Sequence, residues 1–328
     1  MKPNQQTASA SDVRLSRLLR TGVAVLVVGV LAFIALYYQD QHVNAGPSLT
    51  GRQIAGAEAA VKAAPNNVQT RLQLAAAYLM DKRPDDALVQ YDEILKADKA
   101  NRPALLGRGR VLINKGDLTA AAISYHKITD VAAKGEFAGA DPQAQEAHYY
   151  LGSIAIKQGK TKIALAELQT AIAINAGDSD ALYLLGVAQM QAGAPKLAVN
   201  AYKRALLFVP TGWCEPYSQL AVAYGKLNLA PQKTYATGMA NFCLKKPAEG
   251  KAQLKTLLKG PLAVDAMLGL AVMAEEESNN PEAASWYKQV LAVDKKNATA
   301  TSGLSRLGVG PTSPAHAATG SSTTQGPS

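Results

Sequence analysis

Residues 145–176 read QEAHYYLGSIAIKQGKTKIALAELQTAIAINA, and residues 179–210 read SDALYLLGVAQMQAGAPKLAVNAYKRALLFVP. The two segments align without a gap at an offset of 34 residues. A period of this length predicts a protein built from one recurring supersecondary unit. The matches are Leu151-Gly152 with Leu185-Gly186, Gly159 with Gly193, Ala164 with Ala198, and Ala171 with Ala205.

Each segment reads as two helices joined by a short turn. In the first segment, HYYLGSIAIKQ is the first helix, Gly159-Lys160 the turn and KIALAELQTAIAI the second helix. Apolar residues recur at intervals of three and four, which is the helical period. A single hairpin cannot bury both of its apolar faces, so neighbouring hairpins must stack. The sequence therefore predicts an all-α solenoid of helical hairpins.

The same spacing occurs earlier in the chain. Three pairs separated by 34 residues support it: Ala87 and Ala121, Tyr91 and Tyr125, and Ile94 and Ile128. Between Ala121 and Ala164 the spacing is 43 residues. The additional residues fit the Gly-rich stretch KGEFAGADP, which we interpret as a loop between two repeats.

The pattern of Leu-Gly, Ala or Tyr, Gly, Ala, an aromatic residue or Leu, and Ala resembles the tetratricopeptide repeat (TPR) family. The resemblance is strongest in 145–176 and 179–210, good in 68–101, and weaker in 102–135, where Arg108 stands in the Leu place before Gly109. It implies a right-handed solenoid over 53–307. Within it, 53–64 is predicted to cap the N-terminal end, Leu268-Gly269 to belong to one more unit, and 297–307 to form the last helix.

Residues 212–261 depart from the pattern. We predict helices over about 214–227, 231–245 and 247–259, which is one helix more than the period requires. Either a helix is inserted there or one repeat has degenerated.

The two cysteines lie in this irregular region. Cys214 and Cys243 are about equally distant from the turn near 228–229, so they would face each other in an antiparallel hairpin. They form either a disulfide or two small buried thiols.

Residues 21–38, TGVAVLVVGVLAFIALYY, carry no charge. As a helix they would span about 27 Å, close to the hydrocarbon thickness of about 30 Å. Arg14, Arg17 and Arg20 precede the span, so the positive-inside rule puts residues 1–20 in the cytoplasm and the TPR region in the periplasm or outside the cell. The alternative is a signal peptide cleaved after Val43-Asn44-Ala45. Residues 39–52 are predicted as a linker, and 308–328 as a disordered tail.

The sequence carries no pattern of catalytic, metal-binding or nucleotide-binding residues that we can identify. It lacks HExxH, Cys-x-x-Cys, P-loop and GxSxG motifs. The net charge of +9 is spread over the chain and does not form a basic stripe. We therefore expect no enzymatic activity, no cofactor, no metal, no small-molecule substrate and no nucleic-acid partner.

The resemblance also implies a partner-binding groove lined by the first helix of each hairpin. An alternative is that these residues pack only against one another. The predicted groove residues are Leu72, Ala76 and Leu79; Leu106, Arg110, Ile113 and Asn114; Tyr149, Ser153, Ile156 and Lys157; and Tyr183, Val187, Met190 and Gln191.

From these features we expect a membrane-anchored scaffold that binds protein or peptide partners in envelope assembly, secretion or cytochrome maturation. The bound segment would be apolar, with Arg110 and Lys157 contacting acidic groups at its margin. The alternative function is a holdase-like chaperone beside the protein-export machinery.

Overall fold

The computed structural model of the chain describes residues 10–42, 48–136, 138–208 and 212–309. Within these ranges the regular elements are sixteen α-helices and one short 3-10 turn at Ala138–Ala140, without a strand. The all-α prediction is therefore confirmed. The chain divides into two compact units, Met1–Lys99 and Ala100–Ser328, and each is described by itself.

The first unit contains four helices, and the second contains twelve. Those of the first unit are α1 (Ala10–His42), α2 (Leu49–Ala63), α3 (Val68–Met80) and α4 (Pro84–Ala97). Those of the second are α5 (Arg102–Lys115), α6 (Leu118–Ala132), α7 (Pro142–Lys157), α8 (Thr161–Ile174), α9 (Ser179–Gln191), α10 (Pro195–Phe208), α11 (Cys214–Lys226), α12 (Ala230–Cys243), α13 (Pro247–Lys255), α14 (Ala263–Glu276), α15 (Asn280–Val293) and α16 (Ala298–Arg306).

Helix α1 contains the apolar segment. Residues Thr21–Gln39 have a mean hydropathy of 2.3, and none of their side chains is buried within the protein. By length and composition this helix can cross a membrane. It extends beyond 21–38 in both directions, since no proline between Pro3 and Pro47 interrupts the helix.

Several predicted segment boundaries differ from the observed helices. The helix predicted over 53–64 begins at Leu49, because the Ser48 side chain caps it by accepting a hydrogen bond from the Gly51 amide at 3.0 Å. Residues 39–42 and 49–52, predicted as linker, are helical. The remaining linker residues 43–47, the N-terminal residues 1–9 and the tail from 310 onward lie outside the described residues.

The three hairpins α5–α6, α7–α8 and α9–α10 share one recurring contact. A glycine in the first helix faces a large side chain of the second helix, sixteen residues later in the sequence. A methyl group added at Gly186 would lie 2.4 Å from the ring of Tyr202, and one at Gly152 would lie 2.5 Å from Leu168. Both large side chains are fully buried. The two backbones therefore approach more closely than any larger residue would allow.

The turn of each regular hairpin falls seven residues after that glycine. Gly116, Gly159 and Gly193 have φ angles of +83°, +69° and +73°, a region that glycine adopts without steric cost. Each of these turn residues therefore marks the middle of one hairpin in the sequence.

The positions of the turns also show how residues 212–261 are organised. Asn228 and Lys245 also have positive φ, and they are only 17 residues apart, half of the usual spacing. Helix α12 packs against both α11 and α13. It is therefore the second helix of one hairpin and the first helix of the next, so the chain contains a half repeat at this point.

The hairpin of α12 and α13 keeps the regular contact. Leu254 on α13 is fully buried. A methyl group added at Gly238 would lie 2.2 Å from its side chain, and one added at Gly269 would lie 2.5 Å from it. Gly238 belongs to α12 and Gly269 to α14. One leucine thus joins the half repeat to the hairpin that follows it.

In the repeat at 102–135, a hydrogen bond from Arg108 replaces the apolar contact that a leucine makes in the later repeats. The Arg108 guanidinium donates a hydrogen bond to the Ser124 hydroxyl at 2.9 Å, and Ser124 is buried. A polar contact between α5 and α6 thus stands where the later repeats place Leu151 and Leu185, both of which are buried.

Cys214 and Cys243 form a disulfide in the structure, with their Cα atoms 5.4 Å apart. The bond joins the beginning of α11 to the end of α12. It therefore closes the hairpin from which the half repeat begins.

We expect Gly186→Ala to lower the free energy of unfolding by about 1–3 kcal/mol, because the added methyl group overlaps the buried Tyr202 ring. Gly56→Ala on α2 is the matched control, since nothing lies within 4 Å of a methyl group there. The control should be neutral or more stable, because alanine favours helices. Urea unfolding followed by circular dichroism measures both, and an unchanged midpoint for Gly186→Ala would contradict the close contact.

We expect Cys214→Ser/Cys243→Ser to lower the free energy of unfolding by about 3–4 kcal/mol, the chain-entropy value for a loop of this length. The two cysteines are 29 residues apart. Dithiothreitol should lower the stability of the wild type but leave the double variant unchanged. A wild type that is insensitive to the reductant and labels with two maleimides after unfolding would show that the thiols are free.

Candidate partner-binding surface

The first helices of the hairpins in the second unit adjoin one another. Helix α7 contacts α5 on one side and α9 on the other, and α9 contacts α11. Their equivalent positions therefore form continuous rows. We call the surface made by α5, α7, α9 and α11 the first-helix face.

The structure brings the predicted groove residues of 100–328 together on the first-helix face. Arg110 and Lys157 are exposed, whereas the apolar and aromatic residues are half-buried. These side chains therefore pack against their neighbours and still reach solvent, and partner binding at this face stays a prediction. The half-buried residues are Leu106, Ile113, Tyr149, Ile156, Tyr183, Val187 and Met190.

The predicted groove residues of the first unit lie on α3. Leu72 is half-buried, whereas Ala76 and Leu79 are exposed. Within that unit α3 packs against α2 and α4, and the Tyr78 hydroxyl donates a hydrogen bond of 2.8 Å to Glu58 on α2.

Tyr183 lies at the centre of an aromatic group that the repeat period does not reveal. Its ring centroid is 5.2 Å from that of Trp213 and 5.8 Å from that of Tyr202. Trp213 precedes α11 and has no equivalent in the other repeats, so period matching missed it. Its half-buried ring adds an aromatic surface to the first-helix face.

A second aromatic group surrounds Tyr149. The ring of Tyr150 stacks on Tyr125 at 4.8 Å and meets Tyr149 edge-on at 5.1 Å. Burial raises the pKa of Tyr149 to about 12, and nearby Asp180 adds to the effect. Tyr149 is thus a neutral ring held by its neighbours.

Carboxylates lie beside these rings, and sequence reasoning did not select them. Burial raises the pKa of Tyr183, and Glu215 at the start of α11 raises it further. Burial also raises the pKa of Asp180, with a further contribution from Asp178. Burial raises the pKa of Tyr150, Arg110 lowers it, and Glu146 raises it. Acidic and aromatic groups therefore share one edge of the first-helix face.

A separate cavity of about 310 Å³ lies beside the disulfide. It is lined by residues of α11, α12 and α14, among them Tyr217, Phe242, Cys243 and Val272, with Lys245 and Glu276 at its margin. Its walls depend on the half repeat, which the sequence pattern left unresolved.

The histidines of the repeats give no sign of a metal centre. His148 Nδ1 lies 2.6 Å from a Glu167 carboxylate oxygen, a contact that joins α7 to α8. His126 is exposed on α6. Within the described residues, no group of three or more His, Cys, Asp or Glu side chains could hold a metal ion.

A sequence model described as tetratricopeptide repeat matches residues 83–135, 151–212 and 244–298, about half of the chain. The last match includes α13 and therefore the half repeat. Comparison with curated protein sequences gave no match.

Several solved structures are similar to this chain. MamA is 24% identical over 60% of this chain and 96% of its own, with a TM-score of 0.44. YrrB, described as a TPR protein with an unusual peptide-binding site, is 20% identical over 61% of this chain and 97% of its own, with a TM-score of 0.47. The C-terminal part of a TPR protein from Cytophaga hutchinsonii is 18% identical over 83% and 99%, with a TM-score of 0.49.

Proposed function

We propose, since the chain belongs to the tetratricopeptide repeat family, that it is a non-catalytic, membrane-anchored scaffold that binds protein or peptide partners. The observation that carries this proposal is the first-helix face, where half-buried aromatic and apolar side chains from successive helices form one continuous surface. Exposed apolar surface of this kind marks interaction sites.

The proposed contacts divide into a central and a marginal set. Tyr149, Tyr183 and Met190 supply the central area, because aromatic rings bury much surface and the flexible thioether adapts its shape to the partner. Arg110 and Lys157 are exposed and would meet acidic groups of the partner. Leu106, Ile113 and Ile156 continue the apolar surface. Leu72 on α3 would be a separate contact within the first unit.

The anchor in this proposal is the apolar part of α1. Residues 1–20 would lie in the cytoplasm and the repeats in the periplasm or outside the cell, because Arg14, Arg17 and Arg20 precede the span. The Cys214–Cys243 disulfide supports this orientation, since such bonds persist in oxidising compartments. Envelope assembly, secretion and cytochrome maturation are processes that use scaffolds in this place.

We expect Tyr149→Ala/Tyr183→Ala to weaken partner binding at least about tenfold, because truncating a central interface aromatic typically costs about 1 kcal/mol or more. Ile163→Ala/Leu197→Ala is the matched control. These two residues are 34 positions apart on the second helices α8 and α10 and are 49% and 56% exposed. Full-length proteins are compared by pull-down from detergent-solubilised membranes after circular dichroism shows that all are folded.

Loss of one or two partners from the tyrosine variant alone would support a specific scaffold. Many unrelated clients, together with suppression of aggregation, would indicate the holdase instead. Equal recovery with both variants would exclude the first-helix face as the binding surface.

We expect a cysteine at Lys134, in the exposed segment between α6 and α7, to react with a membrane-impermeant maleimide on cells whose inner membrane is intact. Ser9→Cys, which precedes the span in the sequence, should react only after the membrane is opened. The reverse pattern would place the repeats in the cytoplasm. Comparing the size of the mature protein with that of a variant lacking residues 43–45 distinguishes the anchor from a cleaved signal peptide.

A further inference from the structure

Three carboxylates occupy the same position on successive first helices. Glu146 on α7, Asp180 on α9 and Glu215 on α11 are separated by 34 and 35 residues. Because these helices adjoin, the three side chains form a row along one edge of the first-helix face. We call it the acidic row.

Each step of the acidic row places an aromatic ring beside a carboxylate of the next helix. Asp180 is close enough to raise the pKa of Tyr149, and Glu215 does the same to Tyr183. Tyr149 and Asp180 also line one cavity, and the Tyr183 ring lies 5.2 Å from Trp213, two residues before Glu215. Carboxylates and aromatic rings therefore alternate from α7 to α11.

No basic side chain among the described residues forms an ion pair with the acidic row, and the cation that shares the surroundings of Tyr150 with Glu146 is the exposed Arg110. By contrast, Asp141 pairs with Arg102 and Glu275 with Arg306. The neighbouring Asp178 is already engaged, since it caps α9 and accepts a hydrogen bond from Gln145.

A stabilising role at helix ends does not account for the acidic row. Asp180 and Glu215 lie in the first turns of their helices, where the helix dipole favours a negative charge. Glu146 is the fifth residue of α7, beyond that first turn. The dipole also does not explain why aromatic rings lie next to the carboxylates.

A cavity opens at the acidic row between α7 and α9. It measures about 130 Å³ and is lined by Glu146, Asp178, Asp180 and the rings of Tyr149 and Tyr150. Behind it, Tyr150 stacks on the fully buried Tyr125, whose hydroxyl has no hydrogen-bond partner. The cavity therefore combines the negative charge of three carboxylates with two tyrosine rings.

This combination suits an organic cation. A guanidinium or ammonium group is attracted to aromatic faces and forms charge-assisted hydrogen bonds with carboxylates. The chain as a whole carries a net charge of +9, so a row of three carboxylates differs in sign from its average charge. The acidic row is a local exception that would direct a basic partner to the first-helix face.

We propose that the acidic row binds Arg or Lys side chains of a basic peptide segment, one cation for each adjoining first helix. This inference rests on the proposed function and adds the chemistry of the partner. The exposed Lys157 lies near the opposite ends of these helices, so acidic groups of the same partner would face that edge. The partner segment therefore needs basic residues on one side and an apolar centre.

Trp213 provides a direct measurement because its ring lies 5.2 Å from Tyr183. Trp286→Phe leaves Trp213 as the only tryptophan of the chain. The full-length detergent-solubilised variant is titrated with a synthetic peptide that alternates Arg with Leu. Two matched peptides replace Arg by citrulline or by Glu. We expect saturable fluorescence changes with the Arg peptide, and binding at least about tenfold weaker with citrulline.

Neutral variants test whether the acidic row itself is responsible. Glu146→Gln/Asp180→Asn/Glu215→Gln should weaken binding of the Arg peptide at least about tenfold. The control Asp130→Asn/Glu136→Gln/Glu249→Gln removes the same charge from exposed positions of α6, the following loop and α13. It should bind like the wild type, and both variants should keep the wild-type circular dichroism spectrum.

Equal affinity for the Arg and citrulline peptides, or an equal loss in the two neutral variants, would overturn the inference. Different outcomes would contradict the proposed function. Partners from the pull-down that depend on Tyr149 and Tyr183 but not on the acidic row would keep the scaffold and remove the basic partner. Arg-peptide binding that survives both Tyr149→Ala/Tyr183→Ala and the neutral acidic-row variant would exclude the first-helix face itself.

Discussion

The close approach of two helices at a glycine is the constraint on which the rest of the second unit depends. At Gly186 there is no room for a side chain, because the ring of Tyr202 fills the space where a Cβ atom would point. This contact sets the separation of the two helices, and the next first helix packs against the hairpin so formed. Tyr183 rests on the same buried ring, so the geometry of the first-helix face derives from the glycine contact.

Much of this arrangement could be predicted from the sequence because it depends on spacing. The recurrence of Leu151-Gly152 as Leu185-Gly186 gave the hairpins and their turns, and the uncharged run at 21–38 gave the apolar helix. Trp213 could not be found in this way, since it lies in a link between helices and has no counterpart one period away. Its contact with Tyr183 is visible only in the folded structure.

The half repeat and the acidic row escaped prediction for different reasons. Helix α12 has two roles, and its Gly238 contacts a residue of the following helix, so only the packing shows that one helix serves two hairpins. Glu146, Asp180 and Glu215 follow the period closely, but each reads as an ordinary solvated charge until the aromatic neighbours are known. The spacing of these three residues could be read from the sequence, whereas the aromatic rings beside them could be identified only from the packing of the helices.

The half repeat acts as a stacking fault in an otherwise periodic array. From α5 to α11 the hairpin turns at Gly116, Gly159, Gly193 and Asn228 recur at intervals of 43, 34 and 35 residues, and the longer first interval contains the loop between α6 and α7. The next turn, at Lys245, comes after only 17 residues. A ligand with regularly spaced groups, bound along the proposed surface, would therefore stay in register only as far as α11, and the half repeat would limit the length of partner that this surface can bind.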